Sequence, residues 1–179
     1  MSDFAREINT ILSVMTIAGQ LFVLFLLYCL LRGHGKVTTF IGKHAILLGF
    51  LVSCGAMLTS LLYSEVIGFE PCTLCWVQRL FIYPQAFLFG LALYRRERVI
   101  VDYSLTLSII GGLIAAYHYY GQMFNTGALP CSAAAGLSPC AVRFFVEFGY
   151  VTIPMMSLTA FMLLTAFMCL SKKYTRGNL

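Results

Sequence analysis

Charged side chains are scarce in this sequence. Only 11% of its 179 residues are Asp, Glu, Lys or Arg, whereas 60% are hydrophobic. Soluble domains carry roughly 25% charged residues, so this composition excludes an ordinary soluble domain and predicts an integral membrane protein. No nucleic-acid-binding motif accompanies the net charge of +5, and we expect no nucleic-acid partner.

The few charged residues divide the chain into apolar segments. A membrane-spanning helix needs about 20 predominantly apolar residues. Five segments meet this requirement, and one charge interrupts the third: 8–31, 44–64, 73–94, 103–124 and 148–171. The sequence therefore predicts an all-α integral membrane protein with five spans.

The distribution of Lys and Arg predicts the orientation. Short cytoplasmic loops are enriched in these residues, and nine of the twelve fall on one side when the connections alternate; Arg6, Arg79 and Arg143 remain on the other. This places the N-terminus outside and the C-terminus in the cytoplasm. The first segment lacks the basic flank of a signal peptide and is too long for one, so we expect a retained helix.

The seven cysteines divide by location. Three lie within apolar segments (Cys29, Cys54 and Cys169), and we interpret them as small buried hydrophobic residues. The other four lie in the predicted outer loops, where disulfides can form: Cys72 and Cys75 in the first, and Cys131 and Cys140 in the second. These four could be structural crosslinks, a metal site or a redox relay.

The spacing of the outer cysteines favours redox chemistry. A bridge between Cys72 and Cys75 closes a very short loop and stabilises little. Eight residues separate Cys131 and Cys140, and the loop contains no histidine, so the pattern is unlike a zinc site. Covalent haem attachment requires C-x-x-C-H, but Trp76 occupies the last position.

Residues around the C-x-x-C pair support this interpretation. Pro71 suits the start of a helix, so Cys72 and Cys75 should lie at a helix N-terminus, which favours thiolate. Arg79 follows Cys75 by four residues and should share its face. His118 lies in the outer half of the fourth segment, at a depth similar to that of Arg79.

The motifs together resemble one family. The segments PCTLCWVQR, AAYHYYGQ, PCSAAAGLSPC and FGYVTIPMMSLTAF are similar to those of the disulfide bond formation protein B family, the quinone-reducing membrane thiol oxidases of bacteria. The resemblance covers about 44–170. It implies a four-helix transmembrane bundle, here preceded by one extra N-terminal transmembrane helix and a loop (1–43) and followed by a basic cytoplasmic tail (172–179), with 44–171 as the oxidase core.

The resemblance also implies a reaction and a location. Cys131 and Cys140 would oxidise a thioredoxin-like, DsbA-like extracytoplasmic partner, with the mixed disulfide at Cys131. The electrons would pass to Cys72 and Cys75 and then to a quinone, either ubiquinone or menaquinone. Cys75 would be the thiolate facing it. The active site would lie on the extracytoplasmic face of the bacterial cytoplasmic (inner) membrane.

The cofactor contacts implied by the resemblance involve two side chains. Arg79 would polarise a quinone oxygen, and His118 would lie nearby. No resident metal is expected. The spacing of Cys131 and Cys140 between Pro130 and Pro139 favours a local bridge.

Two other classes of protein carry similar cysteines. In vitamin K epoxide reductase-like proteins the loop pair precedes the C-x-x-C, whereas here it follows. A non-enzymatic membrane protein could instead hold a thiophilic metal ion on the same thiolates.

Overall fold

The structure is a computed structural model that describes residues 3–32, 35–124 and 140–176. Long helices dominate these residues. In chain order they are α1 (Asp3–Arg32), α2 (Lys36–Leu61), a π-helical turn (Leu62–Val66), α3 (Thr73–Arg95), α4 (Ile100–Met123) and α5 (Ile153–Arg176). The predicted all-α class is confirmed for this part of the chain, and Cys131 lies outside it.

Four of the described helical segments are long and apolar enough to cross a membrane: α1, α2 with the π-helical turn, α4 and α5. They identify a multi-pass membrane protein. Helix α3 coincides with the predicted third segment but is less apolar, because it carries Gln78, Arg79 and Gln85. Its crossing, the orientation of the chain and the division into 1–43, 44–171 and 172–179 stay predictions.

Helix α5 begins later than the sequence predicted. The apolar segment starts at residue 148, but Phe148 and Gly149 have φ angles of 51° and 78°. These left-handed conformations form a turn and cannot continue an α-helix. The helix starts at Ile153, after this turn. Pro154 can occupy its second position, because proline is tolerated in a first helical turn.

Helix α5 packs against most of the bundle. It contacts α2 and α4 extensively, α3 packs between α2 and α4, and α1 lies on the outside along α5. The core between the helices is filled by side chains with almost no exposure, among them Phe89, Phe161, Leu164 and Phe167. This core supports the polar residues at the N-terminal end of α3 and the C-terminal end of α4.

The α4–α5 contact depends on a close approach at Gly111. A Cβ atom there would lie 2.4 Å from ring atoms of the fully buried Phe161. A Cβ at the neighbouring Gly112 would lie 3.5 Å from the Phe161 Cβ, an ordinary contact distance.

We expect Gly111→Ala to destabilise the bundle. Overpacking a dense core costs about 1–3 kcal/mol, so the thermal midpoint in detergent should fall. Gly112→Ala is the matched control, because it adds the same methyl group without a clash. Equal midpoints for the two variants would contradict the described α4–α5 packing.

Candidate active site

The N-terminus of α3 positions the C-x-x-C cysteines. Cys72 is the N-cap residue, and its sulfur accepts a hydrogen bond from the backbone N–H of Cys75 at 3.4 Å. An N-cap acceptor satisfies one of the backbone donors left free at a helix start. The prediction that both cysteines lie at this helix end is confirmed. Both are free thiols, with their sulfurs 3.0 Å apart.

His118 joins the cysteines to a second element. The side chain of Gln78 donates from Nε2 to His118 Nδ1 at 3.0 Å, so the ring proton belongs on His118 Nε2. That atom lies 3.2 Å from the carbonyl oxygen of Cys140 and 3.8 Å from the sulfur of Cys72. His118 therefore contacts the Cys72 sulfur, the Cys140 backbone and the Gln78 side chain.

Cys140 is buried and disulfide-bonded. Its sulfur lies within 4.8 Å of both the Cys72 sulfur and a ring nitrogen of His118. The structure thus brings one cysteine of the second loop against the first pair. The predicted bridge to Cys131 stays a prediction, because Cys131 lies outside the described residues.

Hydrogen bonds to the end of α4 hold the segment that follows Cys140. Gln122 Nε2 donates to the carbonyl oxygen of Val142 at 2.7 Å, and Arg143 Nε donates to the carbonyl oxygen of Gln122 at 2.9 Å. The Tyr119 hydroxyl donates to the carbonyl oxygen of Tyr150 at 3.2 Å. Since His118 lies on the same helix, these bonds set its register with Cys140.

Arg79 is buried one helical turn beyond Cys75. It is 8% exposed, and it donates from Nε to the Ser60 hydroxyl at 2.9 Å and from Nη2 to the Ser60 carbonyl oxygen at 3.0 Å. Its guanidinium carbon lies 4.9 Å from the Trp76 ring centroid, a cation–π distance. No described carboxylate forms an ion pair with Arg79. Its positive charge therefore remains available to an anionic group.

An apolar cavity of about 390 Å³ lies beside Arg79. Cys75, Gln78, Arg79 and His118 contribute polar groups to its wall, as do Glu70 and several hydroxyl side chains, and α1, α2 and α5 supply most of the apolar lining. Its volume falls within the range of about 300–1,000 Å³ that is typical of small-molecule sites. The predicted pairing of Cys75 with Arg79 on one face is confirmed by their common position on this cavity.

A smaller pocket adjoins the cavity. Cys72 and Cys140 line the smaller pocket without lining the cavity, whereas Cys75 and His118 line both. The two thiols of the C-x-x-C pair therefore face different surroundings: Cys72 faces the loop cysteine, and Cys75 also faces the apolar cavity.

The sulfur of Cys72 is stabilised as a thiolate. Its hydrogen bond with the Cys75 side chain is the largest influence and lowers the pKa of Cys72, while burial opposes this effect and His118 adds to the lowering. The result is a pKa of about 4. In the reduced pair, the negative charge therefore belongs on Cys72, whereas the resemblance implied a thiolate at Cys75.

Three atoms form a possible metal-binding group. They are the Cys72 and Cys140 sulfurs and a His118 ring nitrogen, all buried and within 4.8 Å of one another. Zinc takes thiolate and imidazole ligands. In this structure, however, the Cys140 sulfur belongs to a disulfide and is not a thiolate, so the donor set is incomplete.

Sequence reasoning did not identify every residue of the site. Gln78 and Ser60 orient His118 and Arg79, and Thr16 of α1 lines the cavity. These three residues could have been noticed as polar side chains within apolar segments, because polar groups inside a membrane span are costly unless they are paired or functional. Ser60 could not have been paired with Arg79 without the tertiary structure.

Apolar helices around a free cysteine pair and a disulfide-bonded cysteine, Cys140, define a membrane thiol–disulfide oxidoreductase. The family described as Disulfide bond formation protein DsbB matches residues 42–171. Disulfide bond formation protein C of Bacillus subtilis (strain 168) is 38% identical over 69% of this chain and 88% of its own length. A probable disulfide formation protein of Chlamydia pneumoniae is 33% identical over 75% of this chain and 96% of its own length.

This chain belongs to the DsbB family of disulfide bond formation proteins. The membership confirms the resemblance seen in the sequence and supports a role in disulfide formation. No solved structure matches the chain. The family match begins at residue 42, so α1 lies outside it.

Titration of the reduced protein should reveal the low pKa of Cys72. Because the pKa is depressed, the thiolate should persist well below neutral pH and disappear as the pH falls through about 4. Ultraviolet thiolate absorbance measures this transition, and Cys72→Ser should remove it. His118→Ala should shift the midpoint upward, whereas His44→Ala, at a distant histidine, should not. An unshifted midpoint in His118→Ala would contradict the assigned contact.

Proposed function

We propose that this protein is a membrane thiol:quinone oxidoreductase. It reoxidises a thioredoxin-like, DsbA-like dithiol oxidase outside the cytoplasmic membrane and passes the electrons to ubiquinone or menaquinone. The observation that carries the proposal is the division of the C-x-x-C pair: Cys72 faces Cys140, and Cys75 faces an apolar cavity that also contains Arg79. Family membership supports the role in disulfide formation.

The first step transfers electrons from the partner to the second loop. A partner thiolate attacks Cys131 in a Cys131–Cys140 disulfide, forms a mixed disulfide and releases Cys140 as a thiolate. The second partner thiolate then displaces Cys131. The partner leaves oxidised, and the loop pair is reduced by two electrons and takes up two protons.

The second step transfers the electrons to the C-x-x-C pair. When Cys72 and Cys75 are joined by a disulfide, the Cys140 thiolate attacks the sulfur of Cys72, which lies within 4.8 Å; the Cys72–Cys75 bond breaks and Cys75 leaves as a thiolate. Cys131 then attacks Cys140, which restores the loop disulfide and releases Cys72. Donation from His118 Nε2 and from the Cys75 backbone N–H stabilises Cys72 as the leaving thiolate.

The cavity residues fit a quinone. The apolar lining suits an aliphatic tail, and Arg79 offers a buried positive charge with no ion-pair partner among the described residues. A bound quinone would accept the two electrons and two protons that the Cys72–Cys75 dithiol loses on forming its disulfide. The chain's own contribution is to hold Cys75 in the cavity wall and to place Arg79 where negative charge develops.

Loss of Cys75 should stop quinone reduction. With a reduced thioredoxin-like protein as electron donor, we expect Cys75→Ser to lower the rate at least about a hundredfold, because the pair can no longer form its disulfide. The absorbance of a quinone analogue gives the rate. Cys169→Ser, at a free cysteine of α5, is the control and should retain activity. Turnover of Cys75→Ser at the wild-type rate would refute the assignment.

Substitution of Arg79 should weaken quinone use. Lysine keeps the charge but loses the planar group that binds Ser60 through two nitrogens. We expect Arg79→Lys to raise the KM for quinone about tenfold, the loss of roughly one charged hydrogen bond. Arg98→Lys, which alters an arginine bonded to Ser171 and Lys43, is the matched control. An unchanged quinone KM in Arg79→Lys would argue for a purely structural arginine.

Metal binding is the second candidate, favoured by the proximity of Cys72, His118 and Cys140. It requires Cys140 in its reduced form. Elemental analysis of the reduced protein separates the two functions: stoichiometric zinc without quinone reduction would support the metal site. The family match favours the thiol oxidase over the vitamin K epoxide reductase-like class.

A further inference from the structure

Helix α1 carries a polar stripe through its outer half. Asn9, Ser13, Thr16 and Gln20 follow one another at spacings of four, three and four residues, which places them on one helical face. Asn9, Ser13 and Thr16 are buried within the protein. Polar residues in a span usually face the bundle interior, so this stripe marks the face of α1 that packs against the other helices.

The polar stripe attaches α1 to the site. The Tyr63 hydroxyl in the π-helical turn donates to Asn9 Oδ1 at 3.0 Å. Gln20 accepts from the Tyr150 hydroxyl at 2.8 Å and donates to the Thr159 hydroxyl at 3.3 Å. These bonds tie α1 both to the segment before α3 and to α5, so its position beside the cavity is defined by the fold.

Helix α1 forms one wall of the cavity beside Cys75 and Arg79. The lining side chains on this helix are Leu12, Met15 and Thr16, together with Gly19. A Cβ atom at Gly19 would lie 3.2 Å from Thr159 Cγ2, so α1 approaches α5 closely at this level. The wall therefore belongs to the packed bundle.

The cavity opens sideways between α1 and α2. Met15 on α1 is 64% exposed and Leu51 on α2 is 57% exposed, yet both line the cavity. Gly55 on α2 also lines it, and a Cβ there would meet no atom within 4 Å. The exposed faces of two apolar helices border this opening, so it leads toward the acyl chains of a bilayer.

We propose that α1 completes the quinone site and, with α2, forms a lateral portal for the quinone's isoprenoid tail. This inference rests on the proposed function. The chemistry of the cavity indicates its ligand. The Arg79 guanidinium and the Cys75 thiol lie in one part of the cavity, and apolar walls lead from them to the opening between α1 and α2. Because α1 lies outside the family match, the wall is a feature added to the family core.

The test compares two substitutions of equal size on α1. Thr16→Phe places a ring in the cavity wall, and Val14→Phe places the same ring on an exposed position outside the lining. We expect Thr16→Phe to raise the KM for a long-tailed quinone about tenfold, because the added ring would occupy cavity space that the bound quinone needs. Val14→Phe should leave it unchanged, and single-turnover exchange with the thioredoxin-like partner should be unchanged in both.

A cross-linking measurement does not depend on turnover. A photoreactive amino acid at Met15 should label a long-tailed quinone added to the purified protein, whereas the same group at Val14 should not. Labelling of phospholipid alone from Met15 would overturn the inference, as would equal quinone KM values in Thr16→Phe and Val14→Phe.

The failures of the two proposals are distinguishable. A wild-type protein that neither binds nor reduces quinone would overturn the proposed function, and the inference about α1 would fall with it. Normal wild-type quinone reduction without a difference between the α1 variants would overturn only the role of α1.

Discussion

The start of helix α3 is the constraint on which the site depends. A helix N-terminus leaves backbone N–H groups without partners, and here the sulfur of Cys72 accepts one of them. That capping contact places Cys72 outside the helix and Cys75 in its first turn, so the two thiols point to different surroundings. Arg79 follows one turn later and faces the same cavity as Cys75.

Several buried polar groups around this helix end are satisfied by one another. Gln78 orients His118, and His118 approaches both Cys72 and the backbone of Cys140. Ser60 receives two hydrogen bonds from Arg79. Burial without such partners would be costly, so these contacts define one arrangement of α2, α3 and α4 with the segment that carries Cys140. The same arrangement separates the pocket shared by Cys72 and Cys140 from the apolar cavity.

The large features of the fold were predictable because they depend on composition and local spacing. Scarce charge indicated membrane-spanning helices, and Pro71 with the C-x-x-C pair indicated a helix start. The beginning of α5 was misplaced, since hydropathy does not detect the left-handed turn at Phe148 and Gly149. Helix α3 is less apolar than the other long helices partly because it carries Gln78 and Arg79, and these two side chains line the cavity.

The sequence by itself determined the helical class, the family, and the identity of the redox-active cysteine candidates, because these follow from residue type and spacing along the chain. Only the tertiary structure decided that Cys140 lies against Cys72, that Ser60 holds Arg79, and that α1 walls the cavity. Such contacts join residues far apart in the chain, and they depend on helix packing and rotation, which local patterns do not specify.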